Sequence, residues 1–162
     1  MPWERTDDFV TLDGTSSGAY GPSMDHTTED LIKRAASVIR PRRIGDRLVG
    51  DVGCALISEQ GHIYLGVCLD TASGTGFCAE ASAIAAMVTA GELKISKIVA
   101  VWKDENAKTY VLSPCGRCRQ FIRQLHEDNM GADIVLGRDR MVKLSALLPY
   151  PDQFTPIELP DS

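Results

Sequence analysis

No run of the chain approaches the roughly 20 consecutive apolar residues that a bilayer-spanning helix needs. The opening MPWERTDDFV lacks the basic flank and apolar stretch of a secretory signal. Basic charge is also in short supply: 17 Lys and Arg against 22 Asp and Glu leave a net charge of −5. Proteins that hold nucleic-acid polymers set a basic face against the phosphates, and here the cluster Arg40, Arg42, Arg43 is short and soon followed by Asp46. Aromatics make up only 6% of the chain, and histidine is limited to His26, His62 and His126, which read as solvated surface rather than ligands. Cysteines number five, an odd count that fits no closed disulfide framework and turns attention to metal or catalytic thiols in a reducing compartment. The expectation is a cytoplasmic chain that neither enters a membrane nor holds polymeric nucleic acid.

What is present suits a globular domain: 162 residues, 44% of them hydrophobic, enough to bury a real core. Residues 1–25, rich in Gly, Ser, Thr and Asp, read as a flexible N-terminal arm, and 26–162 as a single domain. A first helix is expected over Thr28–Arg40, capped by Thr27 or Thr28 and ended by Pro41, with Leu31, Ala35, Val38 and Ile39 on one face. Val52–Ser58 and Ile63–Leu69, joined by Glu59-Gln60-Gly61, read as a hairpin. A Gly/Thr/Ser loop at 71–76 leads to an alanine-rich helix, Cys78–Ala90, closed by Gly91. Strands follow at Lys97–Trp102 and Tyr110–Leu112, then a helix from Cys115 to Glu127, a strand at Asp133–Leu136 and a short helix at Leu144–Leu148. Strands interleaved with helices imply an α/β layered sheet.

The chemistry is concentrated in two short stretches, Cys78-Ala79-Glu80 and Pro114-Cys115-Gly116-Arg117-Cys118. Together they form the zinc-deaminase pattern in its three-cysteine form. Cys115 and Cys118, three residues apart at a helix start, share one face and can chelate a single ion, with Cys78 at a second helix start as third ligand. Three protein ligands leave one tetrahedral position open, the mark of a catalytic zinc. The N–H groups at a helix start favour the thiolate, so lowered thiol pKa values are expected. Glu80, two residues after a ligand, is placed to act as general acid and base: it takes a proton from water, passes it to the ring nitrogen and helps ammonia leave. Three thiolates against a divalent ion leave a net charge of about −1, which Arg117 or Arg119 is expected to offset. Cys54 and Cys68 fall in strands and read as small core residues.

At these residues the chain resembles the cytidine deaminase family, and in places its blasticidin S deaminase branch. The resemblance runs over about 31–154 and includes Gly61-His62-Ile63-Tyr64-Leu65-Gly66, Ser113 to Gln120 and Leu147-Leu148-Pro149. It implies a three-layer α/β/α fold with a mixed sheet of about five strands. It also implies one zinc per subunit on Cys78, Cys115 and Cys118, catalysis by Glu80, and pyrimidine contacts from the backbone around Ala79 and Ser113. A homotetramer is implied too, with sites completed across subunits. Where the family holds the ribose with Asn and Glu, this chain has Cys68 and Asp70, and where a base-stacking aromatic is expected it has Gly50. An aromatic after Leu147-Leu148-Pro149, Phe154 or Tyr150, would supply the missing ring from a neighbouring subunit. The implied activity is hydrolytic deamination of a free cytosine nucleoside or a blasticidin S-like analogue. The alternatives are another small amino-substituted heterocycle, which the replacement of Asn by Cys68 favours, and a non-catalytic zinc-stabilised binding module.

Overall fold

The computed structural model describes residues 26–151; the expected arm at 1–25, and Phe154 in the tail, lie outside the described residues. The first helix, α1, spans Thr28–Ser37 and starts where Thr27 accepts a hydrogen bond on its hydroxyl from the Asp30 N–H at 3.1 Å. Leu31, Ile32, Ala35 and Ala36 form its buried face. It stops short of Arg40 because a residue before proline is driven out of helical backbone. Arg40 instead donates its N–H to Gly50 O at 3.0 Å.

Two strands follow, β1 (Arg42–Ile44) and β2 (Arg47–Ser58), joined at Gly45, whose φ of +64° is one that glycine adopts freely. β1 and the first half of β2 lie outside the expected strands, since exposed Arg-Arg-Ile carries no alternation. The hairpin of β2 with β3 (Ile63–Leu69) forms as expected. Next come α2 (Ala79–Thr89), β4 (Ile95–Lys103), β5 (Thr109–Leu112) and α3 (Gly116–Leu125). α3 was expected to reach Glu127, but His126 is extended and a 3₁₀ turn, Glu127–Gly131, takes over. In that turn Asn129 is fully buried; it accepts from Ile95 N–H at 2.8 Å and donates to the carbonyls of Leu93 and Ile122, both at 3.0 Å. The chain ends its described part in β6 (Asp133–Gly137), β7 (Arg140–Lys143) and α4 (Leu144–Leu147).

Among the described residues seven strands join one mixed sheet, in which β4 and β6 are parallel and the other pairs antiparallel. β2 pairs with β3 along one edge and with β4 along the other, so these two strands are central. The outer edge of β4 is shared, β6 taking Lys97 and Ile98 and β5 taking Ala100–Lys103. Alternation along β2 sorts the core into two layers. Ala55 and Ile57 pack with Val99 and Val101 under α1, while Cys54 and Leu56 pack under α2, with Ile122 of α3 and Leu144 of α4. The three-layer α/β/α expectation therefore holds, with β1 and β7 as short additions to the sheet.

Each helix layer sits down on a glycine. A Cβ on Gly53 would stand 2.0 Å from Ala35 O under α1, and one on Gly66 2.2 Å from Ala83 N under α2. The second approach matters for function, because it fixes the height of α2 over the sheet. His62 and His126 are partnered rather than simply solvated. His62 Nδ1 lies 2.6 Å from Glu92 Oε1, to which the Tyr64 hydroxyl also donates at 2.9 Å, and His126 Nδ1 accepts from Asp128 N–H at 3.1 Å.

Candidate metal and catalytic site

Cys78 is the N-cap of α2 and Cys115 the N-cap of α3, both with extended backbone and neither side chain making a capping hydrogen bond. Cys118 follows one turn into α3 and is buried. Two helix starts thus converge, and the sulfurs of Cys78 and Cys115 lie 3.7 Å apart, with all three thiols within 4.8 Å of one another. Tetrahedral zinc with sulfur at about 2.3 Å requires sulfurs about 3.8 Å apart, so this set fits zinc.

Burial pushes the Cys78 thiol up, and burial followed by the Glu80 charge does the same to Cys118. Burial also raises Cys115, but the Cys118 N–H and the neighbouring thiols outweigh it and bring that thiol below its usual range. The lowering expected at a helix start is therefore confined to Cys115; for the other two, the charge of the ion itself must drive deprotonation.

Glu80 stands in the first turn of α2 and is only 6% exposed. It shares a narrow cleft with Ala100 of β4, Leu112 of β5 and Pro114, and burial pushes its carboxyl pKa up. Cys54, fully buried below, is held well above the usual thiol range by burial and then by the Glu80 charge, as suits an inert core residue. A larger cleft of about 250 Å³, lined by Ile32, Tyr110 and Arg138 among others, touches neither the thiols nor Glu80.

The arginines act on the loops that carry the ligands. Arg119 donates from Nε to Pro114 O at 2.9 Å, from Nη1 to Leu147 O at 3.0 Å and from Nη2 to Ser113 Oγ at 3.2 Å. Arg117 reaches across to Gly76 O at 3.2 Å, tying α3 to the loop before α2. Ala79 is fully buried and Ser113 exposed, and Asp70 lies exposed just beyond the end of β3.

Cys68 is not the simple core residue the sequence implied. Its thiol donates to Asp51 Oδ1 at 3.0 Å and accepts from Val52 N–H at 3.4 Å. Between Val49 and Gly53 the pairing of β2 with β3 shifts register, and this bulge turns Asp51 onto Cys68. Gly50 within it has φ +74°, and a Cβ there would meet Arg40 O at 3.0 Å, so no ring can be carried at this position without strain. A glycine beside Asp51 was the signal for that bulge.

The zinc-binding region of cytidine and deoxycytidylate deaminases matches residues 26–132. The chain belongs to that family. Among curated proteins it is 39% identical over 70 residues to the cytidine deaminase of Mycoplasma genitalium, covering 43% of this chain and 51% of that protein. It is 35% identical over 71 residues to a probable cytidine deaminase of Dictyostelium discoideum, covering 43% of this chain and 46% of that one. The chain thus spans about half the length of the curated relatives it matches. Among solved structures, the cytidine deaminase of Mycobacterium leprae aligns with TM-score 0.61 and 27% identity over 75% of this chain and 97% of that one. That of Burkholderia pseudomallei gives 0.63 and 25% over 78% and 99%. The family's region is zinc-binding, and Cys78, Cys115 and Cys118 are the group that can hold the ion.

Proposed function

We propose that the protein hydrolytically deaminates a free cytosine nucleoside or a cytosine-nucleoside analogue, releasing ammonia and a uracil-type product. The observation that carries this is Glu80, a buried carboxyl two residues after Cys78, set beside three converging thiols. Zinc bound by Cys78, Cys115 and Cys118 supplies a Lewis acid that makes hydroxide available near neutral pH. Glu80 handles the protons: it accepts one from water, delivers it to the ring nitrogen and assists the departing amine. The C–O bond forms first, as the ring C=N double bond opens and its nitrogen takes the proton; the exocyclic C–N bond then breaks, ammonia leaves with the second proton, and the carbonyl product remains.

The backbone around Ala79 and Ser113 orients the pyrimidine. Arg119 and Arg117 bring positive charge to the thiolate loops and hold them in place through carbonyl contacts. One zinc is held per subunit. We further infer a homotetramer whose sites are completed across subunits, with Phe154 or the 93% exposed Tyr150 lent to a neighbour. Truncation at Pro149 then raises KM or abolishes activity while zinc stays bound; full activity from the truncated chain refutes the shared site. Five free cysteines suit a reducing, cytoplasmic setting. No described helix is long and apolar enough to cross a membrane, and a small molecule rather than a nucleic-acid polymer is the substrate.

A second reading rests on Cys68 and Asp51. With the thiol spent on that carboxylate, the position has no amide to hold a ribose hydroxyl, and a site lacking such a group loses discrimination by orders of magnitude. This favours another amino-substituted heterocycle, with Asp70 as a further contact. Ammonia release on cytidine, deoxycytidine, blasticidin S and free aminopyrimidines tests both. Turnover of the nucleosides supports the first reading, and turnover of the free heterocycles alone supports the second. No ammonia from any of them would leave a zinc-stabilised binding module instead.

A further inference from the structure

Register across the sheet places a pair of rings one row along from the floor of this site. Cys54 of β2 lies opposite Gly66 of β3 and Ala100 of β4, and Ala100 lies opposite Leu112 of β5. That row forms the floor under Glu80, which shares its cleft with Ala100 and Leu112. The next row on the same face is Cys68, Val52, Trp102 and Tyr110: Val52 pairs with Trp102, Trp102 pairs with Tyr110, and Val52 N–H meets the Cys68 thiol. Cross-strand partners share a face, and two residues along a strand advance by about 6.6 Å, roughly a six-membered ring with its first substituent.

The direction is fixed as well. The Tyr64 hydroxyl, on the far side of Gly66, meets Glu92 beyond the C-terminal end of α2, so the Cys68 row lies toward the start of α2, where Cys78 is. Both rings stay partly open, Trp102 at 36% and Tyr110 at 37%, although aromatics are scarce in this chain. Their centroids are 5.4 Å apart. Tyr110 is braced from outside, its hydroxyl donating to Asp104 Oδ2 at 3.0 Å and the Lys108 ammonium standing 5.2 Å from its centroid.

We propose that Trp102, backed by Tyr110, is a specificity wall of the site, against which the non-reacting part of the substrate lies. The chain then favours a cytosine-type ring bearing a flat, unsaturated or aromatic substituent over the same ring bearing none. The wall deepens the deaminase reading, on which it rests.

The test uses the zinc-loaded full chain. Trp3 and Trp102 are its two tryptophans, so Trp3→Phe leaves Trp102 as the sole indole reporter. In that background, 1-benzylcytosine is expected to change the Trp102 emission saturably and at lower concentration than cytosine. In the wild-type background, Trp102→Ala is expected to lower the ratio of kcat/KM for 1-benzylcytosine over cytosine by about tenfold, through KM, the size of one base-to-aromatic stack. Trp102→Phe should restore most of it. Unchanged emission, an equal response to both compounds, or an unchanged ratio overturns the wall. So does a shift in elution volume on Trp102→Ala with selectivity intact, which would make the pair a subunit contact. Saturable emission without ammonia from either compound would overturn the deaminase reading and keep the wall as a binding surface. Ammonia release with silent emission would do the reverse.

Discussion

Three long helices of this protein start from the same backbone shape and use it differently. Thr27, Cys78 and Cys115 are N-caps with φ/ψ of −64°/156°, −69°/157° and −67°/166°. Thr27 does what an N-cap residue usually does: its hydroxyl satisfies the Asp30 N–H, and Glu29 and Asp30 favour the positive end of the helix. Neither Cys78 nor Cys115 makes a capping hydrogen bond as Thr27 does, although the Cys118 N–H favours the thiolate form of Cys115. The cap contribution, about 1 kcal/mol each, is given up so that two sulfurs can meet at 3.7 Å. Local stability has been exchanged for a metal-binding geometry at two starts of three. The stabilisation is expected to return through the ion, since metal binding contributes folding free energy.

The comparison can be broken most severely at Glu80. Glu80→Gln should keep the fold and the zinc and lose about 10²–10⁴-fold or more in turnover, the range of general acid–base assistance, because an amide cannot shuttle protons. A rate within about tenfold of wild type, with zinc content measured in parallel, would show that another group does this work. Cys78→Ser sharpens the contrast more directly. It restores a good cap and removes a ligand, so zinc and activity should be lost. With chelator present, it should be as stable as the chelated wild type or up to about 1 kcal/mol more stable. Chelated Cys78→Ser unfolding earlier than chelated wild type would contradict the view of Cys78 as a sacrificed cap.

Smaller effects separate the two faces of the sheet. Gly53→Ala and Gly66→Ala each force a Cβ into helix backbone and should cost about 1–3 kcal/mol by denaturant unfolding. Only Gly66→Ala should also weaken zinc binding, since it lifts α2 and with it Cys78; equal zinc affinity in the two variants would contradict this. The smallest change expected is at the ordinary cap. Thr27→Ala should lose about 1 kcal/mol of stability and leave kcat/KM unchanged, and a drop in rate at fixed zinc content would mean that α1 is coupled to the site.

The metal centre was legible in the sequence because its requirements are local. A chelating pair must lie one helical turn apart, and Pro114 marks where α3 begins, while Glu80, the proposed acid–base group, stands two residues after Cys78. The layered fold was legible for a similar reason, through the apolar face of α1, the alanine-rich stretch of α2 closed by Gly91, and the short apolar runs of β2, β3 and β4. What was missed depends on pairing between distant segments. Asn129 reads as an ordinary loop residue until its amide is seen to join Ile95, Leu93 and Ile122. Cys68 reads as core until the bulge at Gly50 turns Asp51 onto it. His62 reads as a solvated turn residue until Glu92 is placed beside it. Trp102 and Tyr110 become neighbours of the site only when the register of β2, β4 and β5 is known. β1 and β7 were too short and too exposed to show a period at all.

The central claim is that two helix starts hold one zinc through three sulfurs and keep a fourth position for chemistry. X-ray absorption at the zinc edge on the purified full-length protein measures this directly. Three sulfurs at about 2.3 Å with one lighter donor are expected; a four-sulfur shell, closed like a structural site, or a nitrogen-rich shell would contradict it.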